Sequence, residues 1–362
     1  MKGWLETRQV FDRLATYHAA GLRSALATVV RVNGSAYRHE GAKLIVAEDG
    51  TGIGNVSGGC LEADVREVAQ RVLHTGVAEL RTYCGGTEEV SAWDLGVGCD
   101  GEVEILVEPV TTARMAERVA IAEERGYVSL TLLQERRECG EASRMVCVDG
   151  IWSGSLGNSH LDSAAQRAVP EWDTDGESFA AAVEGSRLLV DVLRPPPRLI
   201  VVSASDDART LARLAAEIGF RVVVVDRRPG LLTRDRFPEP VRLVDSDAAH
   251  LNEHMVLDAD ACAVVMTHNF ADDTAYLAAL LRTPAQYLGV LGPRHRTERM
   301  LTRLSADGPL DRSRIYGPVG LDIGTDGAEQ VAVAVLAELL AVRSGRQPQS
   351  LRERTAPIHA GE

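Results

Sequence analysis

The chain lacks any CxxC pair. Its six cysteines, at 60, 84, 99, 139, 147 and 262, are too scattered for the ligand spacing of a structural zinc site. A chain of 362 residues does not need disulfide staples, so the cysteines read as reduced thiols. No apolar run approaches the roughly 20 residues that a membrane span requires. The first twenty residues set Lys2, Glu6, Arg8, Asp12 and Arg13 among their apolar positions, unlike the uninterrupted core of a secretory leader. A cytoplasmic protein is the expectation. An excess of basic residues is also missing. The formal charge of -13 argues against nucleic acid or an anionic membrane as the main partner, while leaving room for a local anion site. Nor does a GxGxxG phosphate loop follow the apolar strand that ends at Val202.

What is present is a globular composition, 45% hydrophobic and 25% charged, in a chain too long for one ordinary core, so two or three domains are expected. Val10, Phe11, Leu14 and Tyr17 fall on one stripe of a helix predicted over 4–20 and stopped by Gly21. Strand-like alternation follows in 26–32. Segments 42–47 and 51–56 flank Glu48-Asp49-Gly50 as a hairpin, and Leu61 to Leu73 return to helical spacing. A strand over 102–109, ended by proline, closes this part. Residues 111–194 read as a connecting α/β segment, with a hairpin at Asp149-Gly150. Pro195-Pro196-Pro197 is then a stiff linker. Beyond it, short apolar strands alternate with helices (199–202, 208–218, 222–225, 262–266, 286–291, 328–342), the rhythm of a parallel sheet covered on both faces. The fold class is therefore α/β: a mixed α+β N-terminal domain (1–110), the connecting segment, and a Rossmann-like doubly wound domain (195–345). Residues 346–362 are expected to form a flexible tail.

Several segments could carry chemistry. Asn33-Gly34-Ser35-Ala36-Tyr37-Arg38, with Gly41-Ala42 after it, suits a loop that admits an anion to the backbone while Arg38 offers a planar fork; it also reads as a tight turn with a surface arginine. Ser57-Gly58-Gly59-Cys60-Leu61-Glu62 passes from strand to helix. A thiol there would meet the helix amides and dipole, which favour thiolate, and would serve as a soft ligand or sulfur-handling group. The alternative is a small hydrophobe closing a turn. Leu95 to Glu102 sets three glycines around Cys99, which would share a pocket with Cys60 if the chain folds back.

In the C-terminal half, the place of a dinucleotide fingerprint holds Ser203-Ala204-Ser205-Asp206-Asp207. Two acids stand where phosphate would meet the helix, although Asp226 ends the next strand where a ribose-binding acid belongs. NAD(P) is not an expected cofactor on this reading. Thr267-His268-Asn269 with Asp273 lies at a strand carboxyl end. So does the basic loop from Gly289 to Gly292 with Arg294, His295 and Arg296. Gly317 to Gly324, which includes Asp322, is too patterned for a random loop.

In order, these segments resemble the XdhC/CoxI family, in its "GS.xR..GA", "SGGCxE", "GLGCxG" and "EP" motifs and then its "TH", "GxxG" and "GPxGLDIG" motifs, over about 25–343. The resemblance implies an accessory chaperone that binds molybdenum cofactor (molybdopterin), shields it during sulfuration and passes it to a xanthine dehydrogenase-type hydroxylase. It implies two partners, a cysteine desulfurase and the hydroxylase large subunit, and it implies a homodimer. By position it assigns Ser35, Arg38, Cys60, Cys99, Thr267, His268, Asp273, Gly289, Gly292 and Asp322 to cofactor binding, with Cys60 and Cys99 near the metal through the cofactor; the loops themselves add Gly34, Gly58, Gly59 and Arg294 to the expected binding residues. This chain departs from the family pattern at Ser203 to Asp206, in place of a glycine-rich turn, and at Pro293, in place of a serine. The competing reading is an NAD(P)-linked oxidoreductase with His268 as acid or base.

Overall fold

The computed structural model describes residues 3–34, 37–84, 102–110, 114–133, 143–172 and 176–355. The chain divides into two compact units, Met1–Pro195 and Pro196–Glu362.

The first unit opens with α1 (Trp4–Ala19), β1 (Ser24–Asn33), β2 (Lys43–Ala47), β3 (Gly52–Gly54), α2 (Glu62–Thr75), β4 (Glu79–Cys84) and β5 (Glu102–Val110). The strands form an antiparallel sheet in the order β3-β2-β1-β5-β4. Of the predicted stripe of α1, Val10, Leu14 and Tyr17 pack on Leu26, Ile45 and Ala47, while Phe11 packs instead with Trp4, Ile121 and Tyr127. The opposite face of the sheet, with Ala25, Ala27, Val29, Ile105 and Val107, packs on Val65, Val68, Ala69 and Val72 of α2. Both faces of β1 are thus covered, and its buried positions run without a break from Ser24 to Val30. Pro109 lies inside β5 rather than ending it.

Residues 111–194 contribute a second sheet of equal size. α3 (Met115–Ala122), β6 (Tyr127–Leu133), β7 (Arg144–Val148), β8 (Ile151–Ser155), α4 (Ser159–Trp172), β9 (Phe179–Val183) and β10 (Ser186–Leu193) give the strand order β8-β7-β6-β10-β9. Asp149 and Gly150, both with positive φ (49° and 79°), join Val148 to Ile151 in the two-residue turn that matches strand twist. Val30 and Leu106 of the first sheet meet Leu133 and Leu189 of the second. The contact is reinforced by two buried ionic groups: Lys43 with Asp191 (2.8 Å), and Glu108 with Arg114 (2.6 Å) and Arg144 (2.7 Å). Removing one partner of such a pair strands a buried charge, at a cost of about 3–5 kcal/mol.

The second unit comprises β11 (Arg198–Val202), α5 (Asp206–Glu217), β12 (Arg221–Asp226), β13 (Arg242–Asp245), α6 (Leu251–His254), β14 (Cys262–Val265), α7 (Phe270–Leu281), β15 (Tyr287–Val290), α8 (Arg294–Leu304), β16 (Ile315–Tyr316) and α9 (Ala328–Arg343). All neighbouring strands are parallel, in the order β13-β12-β11-β14-β15-β16. One side chain set, Leu199, Val201, Val222, Val224 and Val264, faces α5 and α9; the alternate set, Ile200, Val202, Val223, Val225, Ala263 and Val265, faces α7 and α8. Burial on both faces is why these strands read as continuous apolar runs. The strand order reverses between β11 and β14, which is where this architecture opens its ligand crevice. Among the described residues no helix is long and apolar enough to cross a membrane.

Candidate ligand-binding site

Two loops of the first unit converge beside the end of β1. In the first, Gly34 is exposed, Ser35 lies outside the described residues, and Arg38 folds back. The Arg38 guanidinium donates through Nη1 to both carboxylate oxygens of Glu6 on α1 (3.0 and 2.9 Å) and through Nε to Asn55 Oδ1 (3.4 Å). Its Nη2 has no partner among the described residues. The sequence pattern predicts an open Arg38 fork; half of it is held by a carboxylate.

The second loop, 55–61, is organised by Ser57 and Glu62. Asn55 Oδ1 accepts the Ser57 amide (3.0 Å) in an Asx turn. The Ser57 hydroxyl donates to Glu62 Oε2 (2.5 Å) and accepts the amides of Gly59 (3.2 Å) and Leu61 (3.0 Å). Glu62 Oε1 accepts the amides of Val56 (3.2 Å) and Ser57 (2.9 Å). Burial pushes the Glu62 carboxyl up, but hydrogen bonds from Ser57, from Glu62's own amide and from Val56 outweigh it and hold the pKa below the usual 4.5. The amides of Gly58 and Cys60 have no partner among the described residues. Two amides and a guanidinium nitrogen of these loops are therefore uncommitted donors, the groups an anion requires.

One expectation for Cys60 changes. α2 begins at Glu62 with Leu61 as its N-cap, so Cys60 stands outside the helix. The Gly59 and Leu61 amides that would have faced its sulfur go to the Ser57 hydroxyl, and Glu62 and Asp64 occupy the first turn. The Cys60 thiol donates to Ser57 Oγ (3.5 Å) and is half-buried against the α2 core. Cys99 lies outside the described residues. The strands on either side of its segment end at Cys84 and Glu102, and Tyr83 hydrogen-bonds Asp64 in the first turn of α2 (2.5 Å), the end of the sheet where Cys60 packs.

Gly41 serves another purpose than admitting a ligand. It has positive φ (84°), and a Cβ there would lie 2.5 Å from Ser178 Oγ and 2.9 Å from Asp191 Oδ1. The second sheet, not a ligand, demands that glycine. Ser57, Glu62 and Asn55 were absent from the predicted site although two of them stand in the "SGGCxE" motif; their signal was polar residues flanking glycines, and glycine and cysteine drew the reading instead.

In the second unit the predicted residues gather at the carboxyl edge of the sheet but are largely engaged with one another. Asp273, 1% exposed, accepts the Thr267 amide (2.9 Å) and hydroxyl (2.6 Å) and pairs with Arg296 (2.5 Å). His268, at φ 63°, puts Nε2 3.2 Å from Asp207 Oδ2, joining the loop after β14 to the first turn of α5 across the switch point. Asn269 caps α7. Asp226 accepts the Ala204 amide (2.7 Å) and the Nε and Nη2 of Arg228 (2.9 and 2.8 Å). Burial raises its carboxyl pKa and these bonds more than reverse the effect. Gly289 is interior to β15, with Val319 where its Cβ would be (2.6 Å), so it is a packing residue rather than part of a binding loop. Gly292 and the exposed Arg294 lie at the start of α8, and Asp322 is exposed. A cleft of about 80 Å³ lies between Asp226, Arg228, Thr267, Asn269 and Tyr276. In it Arg227 pairs with Asp272 (3.0 Å).

The parallel unit and the thiol-bearing loops together define the class: the chain belongs to the XdhC and CoxI family. Residues 17–84 match the domain described as XdhC and CoxI family, and residues 199–339 match the XdhC Rossmann domain. The chain is similar to a Bacillus subtilis protein named as a probable subunit of xanthine dehydrogenase, 31% identical over 88% of this chain and 93% of that one. It is also similar to the "Molybdenum cofactor insertion chaperone PaoD" of Escherichia coli, 24% identical over 91% and 87%. A solved structure described as a xanthine dehydrogenase from Bacillus halodurans superposes with a TM-score of 0.76 at 28% identity, covering 94% of this chain and 98% of that one.

Proposed function

We propose that this protein is an accessory chaperone that binds molybdenum cofactor and supports its sulfuration and its insertion into a xanthine dehydrogenase-type hydroxylase. The observation that carries the reading is the pair of loops in the first unit: the first carries Arg38 Nη2, the second carries the Cys60 thiol and the amides of Gly58 and Cys60, and these three nitrogen donors have no partner among the described residues. The donors suit the cofactor's phosphate and pterin oxygens, and the thiol suits the handling of sulfur. The name of the Escherichia coli relative supports a role in molybdenum cofactor insertion, and that of the Bacillus subtilis relative supports xanthine dehydrogenase as the enzyme concerned.

On this reading the hydroxylase large subunit receives the cofactor, a cysteine desulfurase supplies the sulfur, and the chaperone is a cytoplasmic homodimer. Binding is moderate by necessity, since each tenfold tightening adds about 1.4 kcal/mol to the cost of hand-over. The oxidoreductase reading is weaker. The crevice that NAD(P) would enter is bridged by His268 and Asp207, and Asp226 is closed by Arg228.

The test is to incubate the purified protein with freshly released molybdenum cofactor, remove unbound material, measure molybdenum per chain, and add an apo-hydroxylase. Retention followed by restored hydroxylase activity is the expected result. A protein that retains no molybdenum overturns the proposal.

A further inference from the structure

We propose that Tyr37 is the platform on which the planar pterin ring of the carried cofactor stacks; the inference rests on the function proposed above. In a chain only 4% aromatic, burying a large ring is the ordinary use of one. Among the described residues with large exposed apolar side chains, Tyr37 is the one aromatic, at 67% exposed.

The ring is held from two sides. The loop at Gly58 lies against its root: a Cβ on Gly58 would stand 3.3 Å from Tyr37 Cγ and 3.5 Å from Cδ1, so the two loops approach to within side-chain contact there. The Arg38 guanidinium lies 5.7 Å from the ring centroid, and that guanidinium is itself tethered to Glu6 and Asn55. A π-face positioned by its neighbours loses little freedom when a flat ligand settles on it.

The surroundings match a flat heterocycle bearing a phosphate. Arg38, next in sequence, carries the nitrogen that has no partner among the described residues, and the Gly58 and Cys60 amides lie on the loop that the ring touches. Stacking accepts any planar conjugated ring, so Tyr37 supplies contact area while Arg38 and the amides supply orientation.

The experiment compares wild type with Tyr37→Phe, Tyr37→Leu and Tyr37→Ala, using two probes. Pterin-6-carboxylate, followed by its own fluorescence, reports on the ring. Released molybdenum cofactor, followed by molybdenum retained per chain, reports on the cargo. Tyr37→Phe is expected to bind as wild type does, whereas Tyr37→Leu and Tyr37→Ala bind both probes about tenfold more weakly with unchanged thermal unfolding. Leucine is the discriminating variant, since it keeps apolar bulk and removes the π-face. If Tyr37→Leu and Tyr37→Ala hold cofactor as wild type does, the platform is overturned and the chaperone reading stands. Wild type that holds cofactor yet has no affinity for the free pterin also overturns the platform. Wild type that holds no cofactor overturns both.

Discussion

The Ser57 hydroxyl donates to the Glu62 carboxylate at 2.5 Å while it accepts the amides of Gly59 and Leu61, so one side chain ties the cysteine-bearing loop to the first residue of α2. Replacing Ser57 with alanine leaves two amides and a carboxylate oxygen without their partner, a loss of about 1–3 kcal/mol. Urea unfolding of Ser57→Ala, followed by circular dichroism, should show a lower midpoint at unchanged slope. An unchanged midpoint would mean that water replaces the hydroxyl without cost and that Ser57 does not organise the loop.

Glu62 makes the same contact pH-dependent. Its folded pKa lies below the usual 4.5, because the hydrogen bonds from Ser57 and the amides of Val56 and Glu62 overcome the effect of burial. A group with a depressed folded pKa contributes stability above the unfolded value and loses it as pH falls through the folded one. The stability of wild type should therefore decline as pH drops below about 4.5, and Glu62→Gln should be less stable near neutrality with a flatter acid limb. Parallel acid limbs for the two proteins would show that Glu62 is not linked to folding in this way.

How far the sequence could be read depended on what each pattern reports. Strands β11, β12, β14 and β15, with α5 and α9, were legible because burial on both faces makes runs such as Leu199 to Val202 and Val222 to Val225 apolar throughout, whereas the four-residue β13, half of it exposed, and the helices α6, α7 and α8 were not named. The size of the second sheet was not, since β8 and β9 are mostly exposed or half-buried and leave little periodic signal. At the site, glycines and Cys60 stood out by residue type, but the partners that decide their roles did not. Glu6 precedes Arg38 by 32 residues, and Ser178, which requires Gly41, lies more than a hundred residues later. Contacts of that separation have no signature in one sequence.

The Arg38 guanidinium is shared between Glu6 and whatever anion enters the loops. Surface ion pairs are worth about 0–1 kcal/mol, so an incoming phosphate can displace this carboxylate. Glu6→Gln should bind the cofactor up to about fivefold more tightly and release it to the hydroxylase more slowly, while Arg38→Ala should bind more weakly. Retention and transfer rates measured side by side check this. Weaker binding by Glu6→Gln would reassign Glu6 as the residue that positions Arg38.

The second unit should ignore dinucleotides. Ser205 caps α5 by accepting the Ala208 amide, Arg236 binds the Ala204 carbonyl and Asp206, and Arg228 closes Asp226. Fluorescence titration of wild type with NADH at micromolar concentrations should show no saturable change. Replacing Ser203, Ser205 and Asp206 by Gly, Gly and His should add none by itself, because Asp226 stays blocked; Arg228→Ala in the same background is required to free it. Saturable binding by wild type or by the triple variant would return the oxidoreductase reading to the front.

Cys60 should matter more to cofactor handling than Cys99, on grounds that differ from those of sequence alone. Cys60 does not open α2, and its neighbouring amides serve Ser57. What carries the expectation is the position of Cys60 itself: it is half-buried, its thiol donates to Ser57, and its own amide, without a partner among the described residues, lies on the loop that touches Tyr37 and, through Asn55, Arg38. Serine in its place keeps nearly the same size and the donation to Ser57, so a defect in Cys60→Ser reports on sulfur rather than on a cavity. Cys60→Ser and Cys99→Ser should be compared for molybdenum retained per chain and for activity transferred to an apo-hydroxylase that requires sulfurated cofactor. The expected outcome is near-normal retention by both variants, because phosphate and pterin contacts do not involve the thiols, and a selective loss of transferred activity in Cys60→Ser. Equal transfer by wild type and Cys60→Ser would remove Cys60 from the sulfur chemistry and leave it as packing against α2.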